Sequence, residues 1–250
     1  MEMASKTKKV KRDKRESRPV AYHHGDLRSA LIASAVKHLE SKPVETLSLR
    51  ELARGAGVSL AAPYRHFKDK EALLAAISQE GFDLKRKYME QAIKQSKGDV
   101  QKMFYGCGNA YFKMGMLHPQ HFKLMVTSNV CPSEKYPELM EAAAKTFALL
   151  TQVMKHCQEA ALIGPGDPFH YALNFWAVVN GFTSLYAEGR LEWIGVTQQN
   201  AESALKTLLS QHLIGSAQPL AKSESGFRPF MSPKAAQRKD VLLSLLKLIS

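Results

Sequence analysis

Cysteine is scarce in this chain of 250 residues: Cys107, Cys131 and Cys157 are too few and too scattered to staple a disulfide framework. Long hydrophobic runs are missing too. No stretch approaches the ~20 consecutive apolar residues that cross a bilayer, and the basic N-terminus lacks the apolar centre of a secretory signal. A reducing cytoplasm is therefore the expected location, with no membrane partner. The 15 glycines and 11 prolines, set against 45 % apolar residues, exclude a collagenous, low-complexity or wholly disordered chain. No segment alternates β-branched and polar residues, so strands are not expected. The signatures of catalysis are lacking as well: there is no G-x-S-x-G elbow, P-loop or dinucleotide fingerprint, only the fragment Gly106-Cys107-Gly108. His118, His121 and His156 with the three cysteines match no zinc spacing. No enzyme, catalytic residue, metal or cofactor is expected, while a redox role for a cysteine is not decided by sequence.

What is present is helical periodicity and unevenly placed charge. Leu27, Leu31, Ala35 and Leu39 recur every four residues from Asp26 onward. Further helices are expected at about Ser48–Gly55, Ser59–Phe67, Asp69–Ser96, Asp99–Leu117, Gln120–Asn129, Pro137–Leu162, Pro168–Leu191 and Thr197–Ile214. Breakers such as Lys97-Gly98, His118-Pro119 and Gly164-Pro165-Gly166-Asp167-Pro168 separate them. The fold class is all-α. Residues 1–75 carry 16 basic against 9 acidic side chains, residues 76–215 carry 13 against 12, and residues 216–250 carry 6 against 2. A nearly neutral middle flanked by basic ends suggests either that one end meets a polyanion or that basic tails keep the protein soluble, and composition alone does not choose between them. Four parts are expected: a basic flexible arm (1–20), a short helical unit (21–75), a longer helical unit (76–215), and a Ser/Pro/Lys-rich linker with an extra helix near Val241–Ile249 (216–250).

The stretch Thr46 to Leu74 is the most informative. Ser48 and Glu51 have capping-box spacing, and Leu47 with Leu52 has that of a hydrophobic staple, so a helix should start at Ser48. Gly55 and Gly57 allow a tight turn, Val58 fills the space between helices, and Ser59 can cap the next one. A short helix, a glycine turn and another short helix make a helix-turn-helix. The residues Leu52-Ala53, Gly57-Val58-Ser59, Tyr64, His66-Phe67, Lys70 and Leu73-Leu74 resemble the tetracycline-repressor (TetR) family of bacterial transcription regulators over residues 26–75. Trp176 to Leu191 is similar to the W-x-x-x-H-G signature of a subgroup's C-terminal domain, with Asn180 where that pattern has His.

The resemblance implies an N-terminal three-helix DNA-binding domain and a C-terminal helical domain that dimerises and holds a ligand. If the second helix enters the major groove, Leu60, Ala61 and Ala62 offer apolar contact to thymine methyls and no hydrogen-bond code. Arg50 is the candidate for a guanine contact and Arg65 a second, or else a solvated charge. Ser59, Tyr64, His66 and Lys70 are expected at phosphates, as are the N–H groups at the start of the helix after Asp69 and, from the arm, Arg15 and Arg18. Pro63 removes the first intrahelical hydrogen bond of the reading helix, a cost tolerable only so close to the helix start.

Phe104, Phe112, Met116, Phe122, Met125, Phe147, Met154, Phe175 and Trp176 form the inventory for an apolar ligand pocket, although most must be plain core. Gly181, Ser184, Ala187, Ala201, Leu205, Leu208 and His212 are the candidates for a four-helix dimer interface, or else ordinary intrachain core. The resulting expectation is a homodimeric repressor in a bacterial cytoplasm, associated with the nucleoid and released from a palindromic operator by a small apolar or amphipathic ligand. The alternative is a helical architectural protein that binds nucleic acid without sequence preference.

Overall fold

A computed structural model describes residues 27–127 and 134–217. The arm with Arg15 and Arg18, Cys131, residues 218–250 with Val241–Ile249, and the side chain of His212 lie outside the described residues. Among the described residues eight α-helices follow one another: α1 (Leu27–Ser41), α2 (Leu49–Gly55), α3 (Lys70–Ser96), α4 (Val100–Leu117), α5 (Pro119–Thr127), α6 (Pro137–Glu159), α7 (Pro168–Ala187) and α8 (Ala201–Ala217). Three single 3-10 turns stand at Val44–Thr46, Pro63–Arg65 and Glu192–Ile194, and no strand occurs among the described residues.

Side-chain caps set four of the described helix starts. Ser48 accepts the Glu51 N–H, Asp69 that of Ala72, Asp99 that of Lys102 and Asp167 that of Phe169. Only half of the expected capping box at Ser48 forms, because the Glu51 carboxylate turns to the Lys42 ammonium at 3.1 Å. Leu47 and Leu52 are both buried in one cluster, as a staple requires.

Several helices end differently from the periodicity. α7 stops at Ala187, not near Leu191: Gly189 has φ +68°, and Arg190 N–H reaches back to the Leu185 carbonyl, a Schellman cap. α6 stops at Glu159 in the same way, with Ala161 at φ +54° and Leu162 N–H on the Cys157 carbonyl. α8 starts at Ala201 rather than Thr197. The Asn200 side chain accepts the Thr197 N–H and donates to the Gly195 carbonyl, which holds those residues in a turn.

Two apolar cores result. The first gathers Leu31, Leu47, Leu52, Phe67, Leu73 and Ile77; the second gathers Phe104, Met114, Met154, Phe175, Val179, Leu205 and Leu209. Each fully buried side chain of this kind stabilises the fold by about 1.5–3 kcal/mol. The 27-residue α3 serves both, contributing Leu73, Leu74 and Ile77 to the first and Met89 to the second. Leu124 of α5 and Leu139 of α6 also join the first core, so the N-terminal head built on the first core and the body built on the second meet through packed side chains.

Candidate nucleic-acid interface and ligand cavity

The head presents α2 and the segment after it. A Schellman cap closes α2, with Val58 N–H on the Ala53 carbonyl and Gly57 N–H on that of Arg54. Gly57 takes φ +67°, which a side chain would strain. The expected helix Ser59–Phe67 does not form. Ser59–Ala62 is a turn closed by Ala62 N–H on the Ser59 carbonyl, followed by the 3-10 turn Pro63–Arg65. The cause is Pro63, which has no N–H to give the Ser59 carbonyl, so the shorter i to i+3 bonding prevails. Ser59 therefore caps no α-helix.

Leu52, Ala53, Pro63 and Phe67 are buried, whereas Arg50, Arg54, Ser59, Leu60, Ala61, Tyr64, Arg65, His66 and Lys68, interspersed with them, are exposed. Leu60 and Tyr64 expose 47 % and 49 % of their surface, too much for core residues. Ala62 instead packs against the first core. Lys70 already donates to the Glu45 carbonyl at 3.1 Å, and the Asp69 carboxylate occupies one of the free N–H groups at the start of α3. That helix end is a weaker phosphate site than its position suggests.

In the body, a cavity of about 470 Å³ lies between α3, α4, α5, α6 and α7. Of the expected lining, Met125, Phe147, Phe175 and Trp176 are present. Phe104, Phe112, Phe122 and Met154 pack in the core instead, and Met116 lies against it. Sequence reasoning missed Phe82, Lys85, Met89, Cys107, Tyr111, Met140, Thr146 and Leu150, which complete most of the wall. The readable signal was register: Ile77, Gly81, Lys85 and Met89 follow one face of α3 at four-residue spacing, and a lysine on an apolar stripe marks a buried charge.

The Lys85 side chain is 6 % exposed as a residue, with its ammonium 4.8 Å from the ring centres of both Phe82 and Tyr111. Burial pushes its pKa down to about 7. Tyr111 donates to the Asn180 side-chain oxygen at 2.7 Å, so the amide standing where the signature has His holds the phenol in place. Burial pushes the Tyr111 phenol up, and the Cys107 and Cys157 thiols up to about 12, so neither thiol supplies a ready thiolate. Among the described residues no three His, Cys, Asp or Glu side chains gather as a metal would need.

Cavity and head are joined by two helices. α3 runs from one core to the other. α5 crosses it closely at Gly81, where an added Cβ would stand 2.5 Å from the Met125 sulfur and 3.2 Å from His121 Cβ. His121 in turn faces Glu80 at 3.6 Å, beside Arg28 and Ile32 of α1. On the outer side of the body, Ala177, Leu185 and Ala187 of α7 and Leu208 of α8 are exposed, Gly181 has open space beside it, and Ser184 is half-buried. Ala201 and Leu205, expected on a dimer interface, are each 1 % exposed and belong to the chain's own core. No helix among the described residues is long and apolar enough to cross a membrane.

Two family profiles match: "Bacterial regulatory proteins, tetR family" over residues 31–77, and "Tetracyclin repressor-like, C-terminal domain" over residues 104–209. The chain is 29% identical over 119 residues to the HTH-type transcriptional regulator EthR of Mycolicibacterium smegmatis, a match that covers 48% of this chain and 53% of that protein. The chain thus spans about half the length of this curated relative. A solved structure of a protein with unknown function from Rhodococcus sp. RHA1 is 34% identical, covering 79% of this chain and 99% of its own with a TM-score of 0.68. The structure of AibR in complex with isovaleryl coenzyme A and operator DNA is 17% identical, covers 74% of this chain and 96% of its own, and has a TM-score of 0.53, a likeness of fold. With both profiles falling on the two parts that carry the exposed turn and the cavity, the chain belongs to the TetR family of bacterial regulatory proteins.

Proposed function

We propose that the protein is a homodimeric, sequence-specific transcriptional repressor of the bacterial cytoplasm, released from a palindromic operator by a small amphipathic ligand. The observation that carries this reading is the exposed stretch from Arg50 to Lys68, held on a capped helix and tied by α3 to the cavity. With the reading segment reduced to turns, base recognition rests on Arg50 and Arg65, helped by apolar contact from Leu60 and Ala61. Ser59, Tyr64 and His66 hold phosphates, Lys70 adds its charge, and Arg15 and Arg18 extend the grip along the backbone. The second copy docks on α7 and α8 through Gly181, Ser184, Leu185, Ala187 and Leu208, placing two heads on one duplex.

Release follows from the packing. A guest in the cavity displaces Met125 and Phe82, and the shift travels along α3 and through the Gly81 contact with α5 to the head. Two half-sites must be met at once, so a changed head spacing lowers operator affinity steeply. AibR, solved with both an acyl coenzyme A and operator DNA, is a fold relative in which ligand and DNA sites coexist.

The test is competition between an inverted repeat from the protein's own upstream region and a random duplex. The expected preference is at least ~10³-fold. Near-equal affinities would favour an architectural protein without sequence preference.

A further inference from the structure

The cavity wall contains a charge that nothing among the described residues answers. Lys85 projects from α3 into a wall of Met89, Cys107, Met125, Phe147 and Phe175. Among the described residues no ion pair or hydrogen bond partners its ammonium; its charged contacts are the faces of Phe82 and Tyr111. An unpaired buried ammonium is among the costlier groups a fold can carry, and two ring faces offset part of that cost. The titratable groups around it are few. α4 supplies Cys107 and Tyr111, both held neutral by burial, and the lining residues of α5, α6 and α7 supply none. No carboxylate of the described residues lines the cavity.

We infer that the cavity takes a small amphiphile with a single anionic head, a carboxylate or similar oxyanion, which pairs with Lys85 while its apolar body lies among Met89, Met125, Phe147 and Phe175. This deepens the ligand-responsive reading above and rests on it. A neutral guest of the same size would leave the ammonium unanswered, and a cationic one would repel it. The anion supplies the missing partner in a setting where solvent screens it little. Binding also favours the charged lysine: burial lowers its pKa in the free protein, and the bound anion draws a proton onto it.

The test uses two fluorescent probes that differ only in the charged group, 8-anilinonaphthalene-1-sulfonate and its desulfonated analogue N-phenyl-1-naphthylamine, titrated into the full chain. Wild type should bind the sulfonate at least tenfold more tightly. Lys85→Met, which keeps the length and apolar stem, should lose that preference while still binding the neutral dye. In wild type the sulfonate affinity should fall at least ~10-fold from pH 7 to pH 9, since the probe stays anionic and the lysine loses its proton. Equal binding of both dyes, an unchanged preference in Lys85→Met, a flat pH profile or no binding of either dye would each overturn the proposal. The pH arm needs no variant, so it decides even if Lys85→Met fails to fold. Lys85-dependent sulfonate binding that leaves operator affinity unchanged would uphold the anion site and defeat the repressor's ligand response. Release of operator by both dyes alike would do the reverse.

Discussion

Replacing Lys85 by methionine should make the unliganded protein more stable, and by an amount that varies with pH in a defined direction. Lys85 in the folded state titrates at about 7, against an ordinary value near 10.5. A difference of that size corresponds to on the order of 5 kcal/mol, at 1.36 kcal/mol per unit. The sign follows from proton counting. Between pH 7 and ~10.4 the unfolded chain holds a proton on this lysine that the folded chain has released, so wild-type stability rises by about 1.4 kcal/mol per pH unit in that window. Below pH 7 both states are protonated and the full penalty remains. Urea denaturation of wild type and Lys85→Met at pH 6, 8 and 10 measures the difference. The variant should lead by several kcal/mol at pH 6, a large share of a typical 5–15 kcal/mol, and the lead should shrink steadily toward pH 10. A variant that is no more stable at pH 6, or a lead that does not change with pH, would refute the idea that an unpaired ammonium sits in this cavity.

Four further outcomes are expected. Arg50→Ala should relax base preference at one position of each half-site by about 1–3 kcal/mol in a binding assay over operator variants, whereas deleting residues 1–18 should weaken all duplexes alike and flatten the slope of log K against log salt. Leu185→Glu, on the exposed face of α7, should shift sedimentation from dimer to monomer while leaving the helical circular dichroism unchanged. Gly57→Val should lower stability by about 1–2 kcal/mol, because nothing crowds the site but its φ is +67°, and the loss should appear as a lower Tm with operator binding impaired beyond it.

The helices were legible because their apolar residues recur at helical spacing and their starts carry Ser, Asp or Pro, as at Ser48, Asp69, Asp99 and Pro137. Their ends were less so. Gly189 was passed over as a stop, and Ala161 stops α6 without the glycine that would announce it. The reading segment failed as a helix for a reason already visible in Pro63, whose missing N–H proved decisive over the favourable spacing around it. The cavity was half legible. Aromatic and methionine content marked residues able to line it, but whether Phe104 or Phe147 faces the empty volume depends on how five helices cross, which spacing along a single chain does not encode. Ala201 and Leu205 went astray likewise: an apolar stripe looks the same whether it meets its own chain or a copy.

One helix that belongs to two cores leaves neither of them an independent melting unit. Because Leu73 and Ile77 are fixed by the same rod that carries Lys85 and Met89, loosening of the distal bundle should raise the exchange of amide protons around Leu52 and Phe67. A guest that tightens the far end would then slow deuterium uptake at a near end it never touches.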